Sequence, residues 1–249
     1  MCLFLSGCST ARPDPLYILH AGGVTPDGIS GSNSLEALDH SYENGYRIME
    51  IDFCWTEDDQ LVCIHDWDAY YARMLNKERV TMEEFEQLRY GTYGFTSMTL
   101  ADLAPWMEAH EDAAIVTDIK ERSVEGFRMI AEQYPHLQER FWVQIYHPTD
   151  YDTVRELGFE NIILTIYQMT WEEKQNVSEL AKFARTHTLK GLTYPIELHD
   201  WFPEFTPTLL KTDTPLFIHT VNDPQQQQEL FALGISGIYT DTGGEIPTA

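Results

Sequence analysis

The stretch that decides the fold is G-Y-R-I-M-E-I-D-F-C-W-T-E-D-D-Q-L-V-C-I-H-D, residues 45–66. Its first half is a short apolar run that carries two acids, Glu50 and Asp52. Side chains two apart in a strand point to the same face, so both carboxylates lie on one side. Two buried carboxylates are costly unless a cation lies between them, and hard oxygen ligands favour Mg²⁺ or Ca²⁺. The run therefore predicts a strand that bears a divalent-metal site.

A third oxygen is expected from Asp118, at the end of the next apolar run, residues 113–119. If these runs are neighbouring parallel strands, their carboxyl ends meet at one edge. The alternative use of the acids is a salt bridge to Lys120 or Arg47, which needs no metal.

The second half of the stretch predicts a hairpin. The acidic pair at residues 58–59 suits a tight turn. A two-residue loop there puts Asp52 opposite His65 and Cys54 opposite Cys63, so that these side chains share one face. The two cysteines would then face each other, or remain two small buried thiols.

Beyond this stretch, eight short apolar runs alternate with helix-like segments, which predicts parallel strands joined by right-handed crossovers. Eight such units favour an α/β fold of the (β/α)₈ TIM-barrel type. An open doubly wound sheet is the alternative, but the chain has no G-x-G-x-x-G after the first strand and no P-loop. The runs cover residues 17–22, 48–53, 113–119, 141–146, 161–167, 191–196, 215–221 and 235–240.

Helices are predicted between these runs by apolar periodicity and by glycine stops. Residues 67–99 interrupt the pattern and read as an inserted loop and helix after the second strand. The predicted helices cover residues 34–44, 121–133, 171–186 and 225–233.

In a barrel of this type the catalytic groups lie where the strands end. His20 ends the first run, and the glycines after it allow a substrate to approach the backbone. His219 lies in the seventh run, and Asp241 follows the eighth. Two histidines beside a metal site, His20 and His65, fit an acid–base pair that would move protons in a phosphoryl transfer.

The net charge of −24 makes nucleic acid a poor partner, because an acidic surface repels polyphosphate. A small anionic substrate is compatible with it if a bound cation reverses the local sign. Residues 1–15 are expected to be a leader. L-S-G-C at its centre resembles a bacterial lipobox, which predicts lipidation of Cys8 and a cell-envelope location, anchored or secreted. A cytoplasmic protein is the alternative, since no basic segment precedes the short apolar run.

Several motifs together resemble the glycerophosphodiester phosphodiesterase family, which belongs to a superfamily with phosphoinositide-specific phospholipase C. They are H-A-G-G (20–23), N-S-L-E-A-L (33–38), residues 45–66, T-D-I-K (117–120), H-T-V-N (219–222) and G-I-S-G-I-Y-T-D (234–241). The resemblance implies one TIM-barrel domain over residues 16–249 and dependence on Mg²⁺ or Ca²⁺. By the same resemblance, His20 and His65 are the acid–base pair, Glu50, Asp52 and Asp118 hold the metal, and Lys120 contacts phosphate.

The chain departs from the family pattern at several positions. Ala21 stands where the family has an arginine, which removes a bidentate anion contact. Asp118 stands where the family usually has Glu, and His219 where it has Trp. With Tyr146 and Tyr167, which also lie at strand ends, His219 is a candidate substrate-binding residue. These departures predict an outlying member with an altered hold on phosphate.

The sequence thus predicts a metal-dependent phosphodiester hydrolase for glycerophosphodiesters or related phospholipid-headgroup diesters. Two alternatives remain open. One is a catalytically weak surface module that binds glycans or lipid headgroups, with the aromatic insert as its binding surface. The other is a lyase that releases a cyclic phosphate.

Overall fold

The computed structural model describes residues 15–67, 75–90 and 94–244. Eight parallel strands of this part close into a barrel in the order β1-β10-β9-β8-β7-β6-β5-β2, and a β1–β2 pairing completes the ring. The TIM-barrel prediction is therefore confirmed. The barrel strands are β1 (Leu16–Leu19), β2 (Ile48–Trp55), β5 (Ala114–Ile119), β6 (Phe141–Ile145), β7 (Ile162–Thr165), β8 (Gly191–Pro195), β9 (Leu216–His219) and β10 (Gly237–Thr240).

Helices follow the strands and cover the barrel, with a large apolar core between the two layers. The predicted helix over residues 171–186 is wrong in one respect, because it is divided at Asn176. That side chain accepts from the backbone N–H of Glu179 and so caps the second half. The helices are Leu35–Glu43, Met82–Leu88, Leu100–Ala109, Ser123–Gln133, Tyr151–Glu156, Trp171–Gln175, Val177–Thr186, Ile196–Trp201, Phe205–Leu209 and Pro224–Leu233.

The barrel interior has its own apolar layer. Phe217 occupies its floor in the space that Gly191 and Gly237 leave, where an added Cβ would approach its ring to 2.3 and 2.8 Å. The rest of the layer comes from alternate positions of several strands: Ile18, Ala114, Val116, Trp142, Ile163 and Tyr239. This plug closes one end of the barrel and leaves the carboxyl ends of the strands for a site.

The hairpin after β2 forms, but its predicted register is wrong by one residue. Cys54 pairs with Val62, in β3 (Leu61–Cys63), and not with Cys63. The backbone N–H of Thr56 donates to the Gln60 carbonyl (2.8 Å), which leaves a loop of three residues instead of two. Its last member, Asp59, has a φ of +58°, a left-handed conformation that Asp tolerates and that such loops require. A one-residue slip turns side chains to the other face, and Cys54 and Cys63 are both free thiols.

The insert over residues 67–99 contains the predicted helix and adds β4 (Met98–Thr99), which extends the hairpin by pairing with β3. Of its described aromatic residues, Trp67, Phe85 and Phe95 are buried, and Tyr90 is 62% exposed. Trp67 and Phe85 pack against Val62 and Ile64 of the hairpin. Within the described residues, no helix is long and apolar enough to cross a membrane. The predicted leader and Cys8 lie almost wholly outside that part of the chain.

Candidate active site

The site residues occupy the last inward-facing positions of the barrel strands. Ile48 packs against the interior layer, so Glu50 and Asp52, two and four residues later in β2, face the interior as well. The same spacing of two leads from the apolar layer to a polar residue at the carboxyl end of five other barrel strands. The pairs are Ile18 and His20, Val116 and Asp118, Ile163 and Thr165, Phe217 and His219, and Tyr239 and Asp241.

Glu50 and Asp52 are both buried and both held by hydrogen bonds. The N–H of Ala21 donates to Glu50 Oε2 (2.8 Å). Asn33 donates from Nδ2 to Asp52 Oδ2 (3.0 Å) and accepts the backbone N–H of Asp52 (2.9 Å). Burial and the neighbouring charge of Asp52 raise the pKa of Glu50 to about 8. The interior thus brings two carboxyl groups together where water is scarce, and Glu50 keeps its proton at neutral pH.

Lys120 is the counter-charge of this group. Its Nζ lies 2.6 Å from Asp52 Oδ1 and 3.6 Å from Asp118 Oδ2. The salt bridge that the sequence offered as an alternative is therefore present for Lys120, whereas Arg47 pairs with Asp112 instead. Despite burial, the charge of Lys120 keeps the pKa of Asp52 below its usual value. Lys120 thus offsets the charges of the two neighbouring aspartates.

Asp118 lies beside Asp52 in register, since the two are Cα partners across β2 and β5. Its carboxylate is occupied by two phenols: Tyr146 donates to Oδ1, and the Tyr167 hydroxyl lies 2.8 and 2.9 Å from the two oxygens. Burial and the charge of Asp52 raise its pKa. The tyrosines therefore hold the carboxylate in place.

His20 is hydrogen-bonded to Asp241, a residue near the C-terminal end of the chain. Its Nδ1 lies 2.7 Å from Asp241 Oδ1, and because a carboxylate only accepts, Nδ1 carries the proton and donates. Asn222 fixes that carboxylate in turn: its Nδ2 donates to Oδ2 (2.5 Å) and its Oδ1 accepts the N–H of Asp241 (2.8 Å). Burial alone would lower the pKa of His20, but the hydrogen bond to Asp241 and the charges of Glu50 and Asp52 raise it to about 9.

His65 follows β3 and is exposed. Its Nδ1 lies 2.7 Å from Asp66 Oδ2, a contact between adjacent residues. Although the register differs from the predicted one, His65 still borders the carboxylates, because its carbonyl accepts from Lys120 (3.3 Å). The two predicted histidines therefore lie at one site, His20 after β1 and His65 after β3.

A cavity of about 240 Å³ joins these groups. Tyr146 does not border it; this residue lies buried behind Asp118. A cavity of about 550 Å³ lies outside the barrel mouth near His40 and Tyr46. It touches Asp241 but neither predicted histidine, so the chemistry assigns the smaller cavity as the site. That cavity is bordered by His20, Glu50, Asp52, His65, Asp118, Lys120, Gln144, Thr165, Tyr167, His219, Thr220 and Tyr239.

His219 is partly buried, and its Nδ1 lies 3.0 Å from Thr193 Oγ1. Burial and the nearby charge of His20 lower its pKa to about 3, so His219 is neutral. It packs edge-on against Tyr167, with ring centroids 5.9 Å apart. His219 therefore lines the wall without carrying charge.

Among the described residues, one set of three metal-ligating types lies close together. Atoms of His20, Glu50 and Asp52 fall within 4.8 Å of one another. The two carboxylates of this set suit a divalent cation, with His20 beside them. Asp118 is not in this set, and its role as a ligand stays a prediction.

Two asparagines of the site were missed as functional residues. Asn33 and Asn222 each hold a site carboxylate through side chain and backbone together. Asp241 was seen at a strand end but received no role. Their position in the sequence could have identified them, since Asn33 begins the N-S-L-E-A-L motif and Asn222 ends the H-T-V-N motif.

Comparison with known proteins agrees with this geometry. The model of the glycerophosphoryl diester phosphodiesterase family matches residues 7–245. A glycerophosphodiester phosphodiesterase from Thermotoga maritima is 20% identical with a TM-score of 0.66, covering 91% of this chain and 94% of that one. One from Parabacteroides distasonis is 17% identical with a TM-score of 0.67, covering 92% and 94%.

An Oleispira antarctica phosphodiesterase, solved in complex with the product sn-glycerol-3-phosphate, is 15% identical with a TM-score of 0.62. The match covers 92% of this chain and 93% of that enzyme. At these identities the structural likeness establishes the fold, and the family match carries the assignment. The chain belongs to the glycerophosphoryl diester phosphodiesterase family and is a phosphoric diester hydrolase.

Proposed function

We propose that this protein is a divalent-metal-dependent phosphodiesterase that cleaves glycerophosphodiesters with His20 and His65 as its acid–base pair. The observation that carries the proposal is the meeting of both histidines with three buried carboxylates in one cavity. The product sn-glycerol-3-phosphate in the Oleispira antarctica enzyme supports the glycerol phosphate half of the substrate.

The donor set fits Mg²⁺ or Ca²⁺. Glu50 and Asp52 offer hard, buried oxygens close together, and a cation between them would replace the proton that Glu50 otherwise keeps. We assign Glu50 and Asp52 as ligands, with Asp118 as the third oxygen that the family pattern implies. A bound cation supplies charge stabilisation to the oxygens of the phosphoryl group.

The chain's own residues divide the proton work. The hydrogen bond from His20 Nδ1 to Asp241 works against burial and raises the pKa of His20, so we assign His20 as the acid that donates a proton to the leaving oxygen. His65 is more exposed and accepts the proton of the nucleophile, which is water or a neighbouring hydroxyl of the substrate. Lys120 stands between Asp52 and Asp118 and is the side chain best located to contact the phosphate.

The substrate wall follows from the remaining groups. Tyr167 and His219 border the cavity and present rings, so they shape it. Tyr146 acts through Asp118, because its hydroxyl is engaged there. Attachment to a membrane through lipidated Cys8, and with it a cell-envelope location, remains a separate proposal. Mass analysis of the protein isolated from cell envelopes would test it.

The test is a screen of glycerophosphodiesters with Mg²⁺, with Ca²⁺ and with EDTA, followed by phosphorus NMR. We expect sn-glycerol-3-phosphate only when a cation is present. A cyclic phosphate as the final product would assign the chain to the lyase alternative, and turnover unchanged by EDTA would exclude metal dependence.

Calorimetry tests the ligands without relying on turnover. Glu50→Gln preserves shape and removes one charge, so we expect cation binding to be lost. Glu197→Gln removes an exposed carboxylate on the helix after β8 and is the matched control. Asp118→Asn decides whether the third carboxylate contributes.

A further inference from the structure

A second cavity of about 250 Å³ adjoins the active site. The two cavities share His65 and Lys120 in their walls. A substrate whose phosphate lies in the first cavity therefore has space for its alcohol in the second, on the side of His65.

The apolar wall of this second cavity is rigid. The indole N–H of Trp55 donates to the Glu121 carbonyl (2.8 Å), and that of Trp67 donates to the Trp55 carbonyl (2.9 Å). Both indoles are buried, and the guanidinium of Arg122 lies over the Trp55 ring at 4.4 Å. This wall offers ring surface and no spare hydrogen-bond donor.

The polar wall contains a cation, Arg79, with one hydrogen-bond partner among the described residues. Arg79 comes from the insert, and its Nη2 lies 3.1 Å from Glu121 Oε2. Within the described residues this is the sole hydrogen bond of its guanidinium, which has five N–H donors. The side chains are 36% and 64% exposed, so the pair is easily exchanged. Lys120, the cation shared by both cavities, is already bound to Asp52.

The acids in the same wall limit what the cavity accepts. Asp66 is engaged with His65, and Glu121 with Arg79. Glu78 is exposed and forms no ion pair with a described residue. An anionic group can displace Glu121 from Arg79, and the released carboxylate can then face an ammonium group of the same ligand.

We propose that this second cavity binds the alcohol of the substrate and that Arg79 selects alcohols bearing an anionic substituent, a carboxylate or a phosphate. Arg is suited to either because its planar fork binds two oxygens at once. The inference deepens the proposed function and rests on it for the location of the phosphate. It makes Arg79 a specificity-determining residue.

Two matched substrate pairs test it. Glycerophosphoserine differs from glycerophosphoethanolamine by one carboxylate, and glycerophosphoglycerol phosphate differs from glycerophosphoglycerol by one phosphate. We expect kcat/KM to favour the anionic member of at least one pair by roughly 10- to 100-fold, the range of one charge-assisted contact. The pair that shows the preference identifies the anion.

Arg79→Gln should abolish that preference while it leaves turnover of the member without the extra anionic group almost unaffected. Arg79→Lys should restore part of it, because the charge returns without the fork. Arg185→Gln removes an equal charge from an exposed helix position and should change nothing. The proposal is overturned if Arg79→Gln keeps the wild-type ratio in both pairs, or if wild type shows no preference in either.

Binding separates this inference from the proposed function. Calorimetric titration of the same four diesters in EDTA needs no turnover. An Arg79-dependent preference in binding supports the subsite even if no diester is hydrolysed, a result that would overturn the proposed function alone. Hydrolysis with no Arg79-dependent preference would overturn the subsite alone.

Discussion

The active site contains two histidine–carboxylate pairs of equal length and very different setting. His20 and Asp241 lie 2.7 Å apart, and so do His65 and Asp66. The first pair joins residues 221 positions apart, and its side chains are 35% and 24% exposed. The second joins neighbours that are 54% and 42% exposed. A single distance therefore describes two different electrostatic situations.

The difference teaches what burial does to a hydrogen bond. Near Glu50 and Asp52 the charges act through little water, so the raised pKa of His20 keeps it an imidazolium. His65 has water as a competitor for Asp66, which weakens the pair. The half-buried pair suits an acid, and the exposed pair suits a base that must exchange its proton with solvent.

The largest expected effect comes from removing the two histidines themselves. His20→Ala and His65→Ala should each lower kcat for a glycerophosphodiester by roughly 10²- to 10⁴-fold, the range of general acid–base catalysis. On the glycerol phosphate diester of p-nitrophenol, whose leaving group needs no acid, His20→Ala should recover most of its activity and His65→Ala should not.

The control for this pair is His136→Ala, which removes an exposed histidine paired with Glu108 at 2.7 Å. It should turn over both substrates as wild type does, and circular dichroism should show all three variants folded. Recovery of the His65 variant instead of the His20 variant would reverse the two roles.

The next effect concerns the carboxylate behind His20. Asp241→Asn removes the interaction that most raises the His20 pKa, so that pKa should fall from about 9 towards 6.5. An acid works only while protonated, so the alkaline limb of the rate profile should move to lower pH. We expect roughly a 10- to 100-fold loss at pH 8. An unchanged alkaline limb would remove Asp241 from the mechanism.

The sequence could predict the residues of this site because the barrel repeats one rule. Apolar residues at alternate positions of a strand fill the interior. A polar residue two positions further along the strand then faces the cavity at the carboxyl end of the barrel. Ile18 with His20 and Val116 with Asp118 follow this rule. Strand assignment therefore located both the metal-binding candidates and the first histidine.

Other features depend on geometry that the rule does not contain. The hairpin register depends on whether one residue, Asp59, turns left-handed, and a two-residue loop was equally compatible with the acidic pair. The contact of Asp241 with His20 depends on closure of the ring between β1 and β10. The support of the site by Asn33 and Asn222 likewise requires loops to return to the strand ends.

A smaller effect should appear in stability. His20 has a raised pKa in the folded protein, so its contribution is complete below pH 6.5 and is lost as pH rises through about 9. The raised pKa of Glu50 acts in the same direction, because the folded state keeps its proton up to about pH 8. Allowing for the partial exposure of His20, we expect about 1–2 kcal/mol less stability at pH 9.5 than at pH 6. Urea unfolding in EDTA would measure it, and Asp241→Asn should flatten the slope.

The smallest effect is expected from a substitution in the exposed pair, His65 and Asp66. Asp66→Asn leaves His65 in water, where an ion pair contributes about 0–1 kcal/mol, so kcat should fall by less than about fivefold. Stability between pH 6 and 9.5 should follow the wild-type slope, unlike that of Asp241→Asn. If Asp66→Asn costs as much as Asp241→Asn, exposure does not distinguish the pairs. Asp66 would then orient His65 as firmly as Asp241 orients His20, and the division into half-buried acid and exposed base would have to rest on position relative to the substrate instead.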